Sequence, residues 1–205
     1  MLKLLEIDHE VKNRLEQLDL TKDKLAEVAK RAIAQKFNAV SNHPVNAPGT
    51  FAYHEGVRSM RDIFVDGKRW KKLVKNGIEY IENPDKKIRM IYQNVDYACN
   101  RSHDPQPISK SGGIAKRNAI NSNQLELFER EIPSSNVFVL CVSENNSIVN
   151  AELSLPTEIL RNGCFSKFIE RIFILQSYGY ENHPKSDNDS NRDEYDDEIT
   201  ISLKT

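Results

Sequence analysis

The sequence predicts an α+β protein in which an N-terminal helical hairpin precedes a mainly antiparallel, four-stranded sheet with packed helices. Three observations support this. Apolar residues recur at three- and four-residue spacings early in the chain, apolar and alternating runs follow Gly77, and turn residues separate those runs. The 205 residues are enough to bury a core without disulfides or metal. We expect a helical hairpin (1–37), an α+β core domain (51–176) and an acidic, largely disordered tail (177–205).

The N-terminal third has the pattern of three helices. Residues 4–18 form one apolar stripe, and Thr21 is a candidate N-cap for a second helix over residues 22–37. We interpret this pair as an antiparallel hairpin. The alternative is a dimerising coiled coil, which usually needs three or more heptads. A loop rich in Pro, Gly and Asn follows at residues 38–50, and a third helix is predicted over 54–64.

The middle of the chain changes from helical to strand patterns. Residues 67–77, GKRWKKLVKNG, are predicted to form a short basic helix that ends at Asn76-Gly77. Residues 78–81 and 88–92 are predicted to form a β-hairpin around an Asn-Pro-Asp turn. The longest irregular stretch follows at residues 97–120, and a loop of that length is usually functional or disordered.

The most apolar strand pattern lies in the C-terminal half. Residues 137–142 are almost entirely apolar and predict a central strand, and residues 148–155 predict its neighbour. A short helix is expected over 121–131. Residues 165–172 have apolar residues at helical spacing and are predicted to form a helix, with a last strand over 172–175 as the alternative.

Charge is distributed unevenly along the chain. Residues 57–117 carry fourteen Lys or Arg and seven Asp or Glu, a net charge of +7. Residues 118–205 carry seven and fifteen, a net charge of −8, while the whole chain has only −1. Such an asymmetry indicates an anionic partner, an intramolecular partner, or both.

The basic segment is the principal candidate site, because Lys and Arg neutralise phosphates and release counterions. Trp70 lies within it and could stack on a base, but on a helix it would point away from the cations, so we interpret it as a core residue. The alternative for the charges is a solvated helix face. The candidate nucleic-acid-binding residues are Lys68, Arg69, Lys71, Lys72, Lys75, Lys86, Lys87, Arg89, Lys110, Lys116 and Arg117.

A glycine-rich loop contributes to this candidate surface. Gly112 and Gly113 free the backbone of residues 109–117 to present N–H groups to an oxyanion, and three of the candidate cations flank them. The spacing of a Walker A loop is absent. The alternative is a mobile surface loop.

Two carboxylates on predicted strands suggest a second function. Metal-dependent nucleases of the restriction type hold Mg²⁺ between an Asp and an acidic-x-Lys pair on adjacent strands. Asp96 and Glu152 could supply the carboxylates, but Ser154 stands where the lysine is needed, so Lys110 or Lys116 would have to replace it from the loop. We expect that Glu152 is not a catalytic ligand, and the alternative is a metal-dependent or degenerate nuclease domain.

Other signals are negative. The three cysteines form no C-x-x-C pair, the five histidines form no metal-binding motif, and no apolar run is long enough to span a membrane. No signal peptide is evident, so we expect a cytoplasmic location. We therefore expect a non-catalytic, sequence-unspecific nucleic-acid-binding accessory protein of a larger bacterial assembly, with no cofactor. A further alternative is a protein–protein adaptor that docks through its N-terminal helices.

Overall fold

The computed structural model describes residues 2–109, 114–125 and 135–180, with the side chains of 124 and 125 excepted. Four helices and seven strands are present in these ranges. The helices are α1 (Asp8–Gln17), α2 (Lys22–Lys36), α3 (Ala47–Phe64) and α4 (Ile114–Leu125). The strands are β1 (Lys3–Leu5), β2 (Lys71–Lys75), β3 (Ile78–Asn83), β4 (Ile88–Asn94), β5 (Asn136–Asn145), β6 (Ile148–Ile159) and β7 (Phe165–Gly179).

All seven strands belong to one mixed sheet in the order β1-β7-β6-β5-β4-β3-β2. The pairs β1–β7 and β4–β5 are parallel, and the other four pairs are antiparallel. The parallel β4–β5 pair requires a long crossover, and the chain between these strands contains α4. Strand β2 forms one edge of the sheet and β1 forms the other.

Helices cover both faces of the sheet. Helices α1, α2 and α3 pack on one face, where Leu25, Val28 and Met60 join a core with Phe138 and Leu140 of β5. Helix α4 packs on the other face, where Ile120 joins a smaller core with neighbouring side chains of β4 and β5. The alternating side chains of the central strands supply both cores, which explains why β5 is apolar throughout.

Helix α3 approaches β4 very closely at one glycine. A methyl group on Gly56 would lie 2.5 Å from ring carbons of Tyr92, which is closer than packed atoms allow. Tyr92 is fully buried, and its hydroxyl donates to Asn94 Oδ1 at 2.9 Å. Gly56 therefore permits the ring of Tyr92 to lie between the helix and the sheet.

The predicted four-stranded, mainly antiparallel sheet is wrong, because three more strands join it and two of its pairs are parallel. The predicted N-terminal helical hairpin is also wrong. Strand β1 precedes α1 and pairs with β7, and α2 packs mainly against α3 and the sheet. An apolar stripe shows which face of a helix is buried but does not identify the element that covers it.

Two predicted helices are strands. Strand β7 replaces the helix expected over 165–172, and β2 lies at the centre of the segment 67–77 that was expected to form a basic helix. In β7, Glu170 pairs with Leu155 and Phe168 pairs with Pro156, so Ile169 is an extra, bulged residue. The bulge interrupts the period of two and produces the three-residue step that resembled a helix.

The C-terminal region is described only in part. Strand β7 continues to Gly179, and Tyr180 stacks on Phe37 with 5.0 Å between ring centroids. The remainder of the predicted acidic tail, 181–205, lies outside the described residues. No helix in the described ranges is long and apolar enough to cross a membrane.

Candidate functional site

Exposed lysines cluster along the β2 edge of the sheet. They lie on the turn before β2, on β2 itself and on the β3–β4 turn, and no ion pair among the described residues involves any of them. We call this group the basic edge, and it consists of Lys68, Lys71, Lys72, Lys75, Lys86 and Lys87. It contains six of the candidate cations predicted from the sequence, and a strand and two turns carry them.

Asp66 fixes the turn that leads into β2. Its Oδ1 accepts hydrogen bonds from the backbone N–H groups of Lys68, Arg69 and Trp70 at 2.8–3.0 Å. The bond from Trp70, followed by that from Lys68, holds the pKa of Asp66 below its usual value. The turn thus holds Lys68 in the solvent and places Trp70 beneath it.

Trp70 anchors this turn in the core, as predicted. It is 3% exposed, packs near Phe64, and its indole N–H donates to Asp19 Oδ2 at 3.1 Å. Its ring faces cannot stack on a base while it is buried. The basic edge therefore offers charge for phosphate contacts without an aromatic platform from this residue.

The side chains of β2 alternate between the two faces of the sheet. Lys71 and Lys75 lie on the same face as Leu73, which packs towards the α4 core, and Lys72 lies on the opposite face. Four residues of extended chain separate Lys71 from Lys75 by about 13 Å. Because no described strand pairs with the outer side of β2, the lysines of both faces border one edge of the sheet.

Two of the three arginines of the predicted surface are already paired with carboxylates. Arg69 donates to Asp19 at 2.6 Å, and Arg89 donates to Glu82 at 2.8 Å. Arg89 also lies on strand β4 rather than on the edge strand. These two residues support the local structure and leave less charge for a ligand than the lysines do.

The remaining candidate cations lie elsewhere. Lys116 is partly buried in the first turn of α4, where its Nζ donates to Gln93 Oε1, and Arg117 is the next residue of that helix. The structure therefore does not place Lys116 among the exposed lysines. Lys110 lies outside the described residues.

The proposed nuclease carboxylates are both occupied by protein groups. Glu152 is 0% exposed and accepts bonds from Arg171 Nε and Nη2 at 2.8 Å, from Ser154 Oγ at 2.6 Å and from Cys99 N at 2.6 Å. Asp104 at 3.1 Å completes the environment of Arg171. The Glu152–Arg171 ion pair is buried, and its bonds to Cys99 and Asp104 connect the segment after β4 to strands β6 and β7.

Asp96 is held by a separate set of bonds. Burial opposes its ionisation, but bonds from the N–H groups of Gln106 and Tyr97 and from His103 keep its pKa below the usual value. His103 Nε2 lies 2.8 Å from Asp96 Oδ2. Within the described ranges, no group of His, Cys, Asp or Glu is arranged to bind a metal.

Sequence reasoning missed Arg171, although the signal was available. It lies within the run Arg-Ile-Phe-Ile-Leu, and Glu152 likewise lies among apolar residues of a predicted strand. A charge on a buried strand needs an opposite charge, so each residue indicated that a partner existed. Only the sheet topology identifies the partner.

Comparison with known proteins adds no family assignment: no family model, curated protein or solved structure matches the chain significantly.

Proposed function

We propose that this protein binds nucleic acid without sequence specificity, through phosphate contacts at the basic edge. The observation that carries the proposal is that four exposed lysines border the β2 edge and two more lie on the β3–β4 turn, while none forms an ion pair with a described residue. Elsewhere the chain pairs its cations readily, as Lys36 does with Glu144 at 2.7 Å. Unpaired lysines at this density are available to an external polyanion.

The dimensions of the edge suit a phosphate backbone. The distance of about 13 Å from Lys71 to Lys75 corresponds to the axial rise of about four nucleotides on one strand of a duplex. Lysine acts as a point charge on a flexible stem and does not read base edges bidentately as arginine does. The residues thus support binding that depends on charge and spacing.

A different role for these lysines is protection of the sheet. Charged residues on an edge strand prevent pairing with another chain, and β2 is such a strand. This explanation predicts no affinity for nucleic acid in the wild type and self-association when the lysines are removed. The two roles are therefore separated by a binding measurement.

The test uses Lys71→Glu combined with Lys72→Glu, measured by fluorescence anisotropy with duplex DNA and duplex RNA probes. We expect the wild type to lose about 10³-fold in affinity between 50 and 200 mM salt if all six lysines contact phosphates. The double variant should bind at least tenfold more weakly at 50 mM and show a shallower dependence on salt.

A matched control changes net charge equally at another place. Lys12→Glu with Arg161→Glu alters two exposed cations, on α1 and in the turn between β6 and β7, away from the basic edge, and neither forms an ion pair with a described residue. This control should retain the wild-type salt slope. Equal affinity and slope for wild type and the Lys71/Lys72 variant would refute the proposal, as would no wild-type binding at 50 mM salt.

A further inference from the structure

A cavity opens where β3 and β4 separate. Their pairing runs from Asn83↔Ile88 to Ile81↔Met90 and stops there. Beyond this point Ile78 and Glu79 pair only with β2, and β4 continues alone beside β5. The space between the separated strands is about 770 Å³, within the usual range for sites that hold small molecules.

Most of the cavity wall is apolar. Helix α2, helix α3 and strands β3, β4 and β5 all contribute side chains, and the apolar ones include Ile33, Ala52, Ile78, Ile91, Val95 and Val142. Polar residues also line the space: Gln93 contacts Lys116 of α4, whereas Asn94, the next residue of β4, donates to Gly49 O of α3. An apolar chamber with a few convergent polar groups is the typical form of a ligand site.

Among the residues that the structure describes, the charges in this wall leave one positive charge uncompensated. Glu144 is paired with Lys36 at 2.7 Å, and Glu79 is paired with Arg61. Lys116 has no carboxylate within ion-pair distance among the described residues, and its Nζ donates only to the neutral Gln93. The carboxylates of the wall are thus neutralised by the protein, whereas Lys116 is not.

The tyrosines of the wall and the thiol of Cys141 are neutral at pH 7. Burial raises the pKa values of Tyr53 and Tyr92, both in the cavity wall. Burial also raises the pKa of the neighbouring Cys141 thiol. Burial lowers the pKa of Lys116 to about 8, so the amine is still mostly protonated at pH 7. Its position in the first turn of α4 adds the positive end of the helix dipole.

We propose that this cavity binds a small organic monocarboxylate, with its carboxylate on Lys116 and its apolar body against the separated faces of β3 and β4. One negative charge matches the one positive charge of the wall that no described carboxylate compensates. An apolar body matches the remaining wall. The site is independent of the basic edge, because none of the six lysines of that edge lines the cavity.

The test uses octanoate and 1-octanol, which share a chain and differ in charge. By isothermal titration calorimetry at pH 7, we expect the full-length protein to bind octanoate at least tenfold more tightly than octanol. Lys116→Met should remove this preference and leave octanol binding unchanged. Arg117→Met is the matched control, since it removes the same charge from the adjacent residue outside the cavity wall, and it should bind octanoate as the wild type does.

A second measurement uses only the wild type and therefore does not depend on whether the Lys116→Met variant folds. Raising the pH from 7 to 9.5 should weaken octanoate binding at least fivefold, because Lys116 loses its proton with a pKa of about 8, while octanol binding stays constant. Equal binding of octanoate and octanol by the wild type would overturn the proposal. Octanoate binding that is indifferent both to Lys116→Met and to pH would overturn it as well.

Discussion

Lys116 holds a positive charge in a partly buried position, and this has a cost in stability. Without a bound anion, its only described partner is the neutral amide of Gln93. A charge retained under these conditions lowers the free energy of unfolding. Residues of this kind are common where a protein has been selected for binding rather than for stability.

The pH dependence of unfolding should reveal this cost. Because burial lowers the pKa of Lys116 from 10.5 to about 8, the unfolded chain holds the proton more tightly than the folded chain between these values. Stability therefore rises with pH through that window, by on the order of 3 kcal/mol for this group. Urea denaturation at pH 7 and pH 10 measures it.

Lys116→Met is the reference for that measurement. At pH 7 the variant should be more stable than the wild type, and the difference should shrink as the pH rises to 10. A variant that is less stable at pH 7, with a gap that does not change with pH, would show that Lys116 is well solvated. The same samples can serve for the binding experiments.

At the scale of elements, the sequence indicated α2, β3, β4, β5 and β6 at nearly their observed positions. It also indicated α1 and α3, but α1 begins at Asp8 after a strand that was not predicted, and α3 begins at Ala47 rather than at residue 54. These segments have long apolar stripes or runs that no competing pattern obscures. Strand β2 was hidden because lysines occupy three of its five positions and it buries little on either face. Strand β7 was hidden by its bulge at Ile169.

The sequence also predicted part of the candidate site. The lysines of the basic edge are exposed in the structure as expected, because charged side chains at this density are seldom buried. The cavity beside Lys116 could not be foreseen. It depends on where the pairing of β3 and β4 stops, and a residue pattern does not encode the length of a ladder beyond its turn.

The contact of α3 with β4 gives a test at this scale. Gly56→Ala would normally favour a helix by about 1 kcal/mol. Here we expect it to lower the free energy of unfolding by roughly 1–3 kcal/mol, because the new methyl group overlaps the ring of Tyr92. In a Tyr92→Leu background the same change should be neutral or stabilising. Chemical denaturation of the four proteins checks this, and a penalty of equal size in both backgrounds would contradict it.

Over the whole molecule, opposite charges lie far apart in sequence. Residues 181–205 contain eight Asp or Glu and three Lys or Arg, while the basic edge contains six lysines. A tethered polyanion competes with an external one at a high effective concentration. Competition of this kind would make the protein bind nucleic acid more weakly than its lysines alone allow.

Neutralising this segment tests the competition. We expect Asp187→Asn, Asp189→Asn, Asp193→Asn and Glu194→Gln together to raise duplex affinity several-fold at 50 mM salt, because fewer charges compete for the lysines. The gain should vanish at 300 mM salt, because screening then limits the interaction between exposed charges to a few ångströms. If affinity at 50 mM is unchanged, the segment does not compete and serves only as a solubilising spacer.

The parallel pairing of β1 with β7 has a consequence for biosynthesis. Lys3 lies opposite Glu170 and Leu5 opposite Ile172. The first strand to be synthesised therefore cannot pair until the last strand has been synthesised. At a usual rate of about 5–20 residues per second, that interval is about 8–30 seconds on the ribosome. During this interval the segment that will become β1 lacks its partner strand β7, while α1, α2 and α3 have already been synthesised. The edge formed by β1 is therefore completed last, and a chaperone that recognises short apolar segments would have its opportunity there.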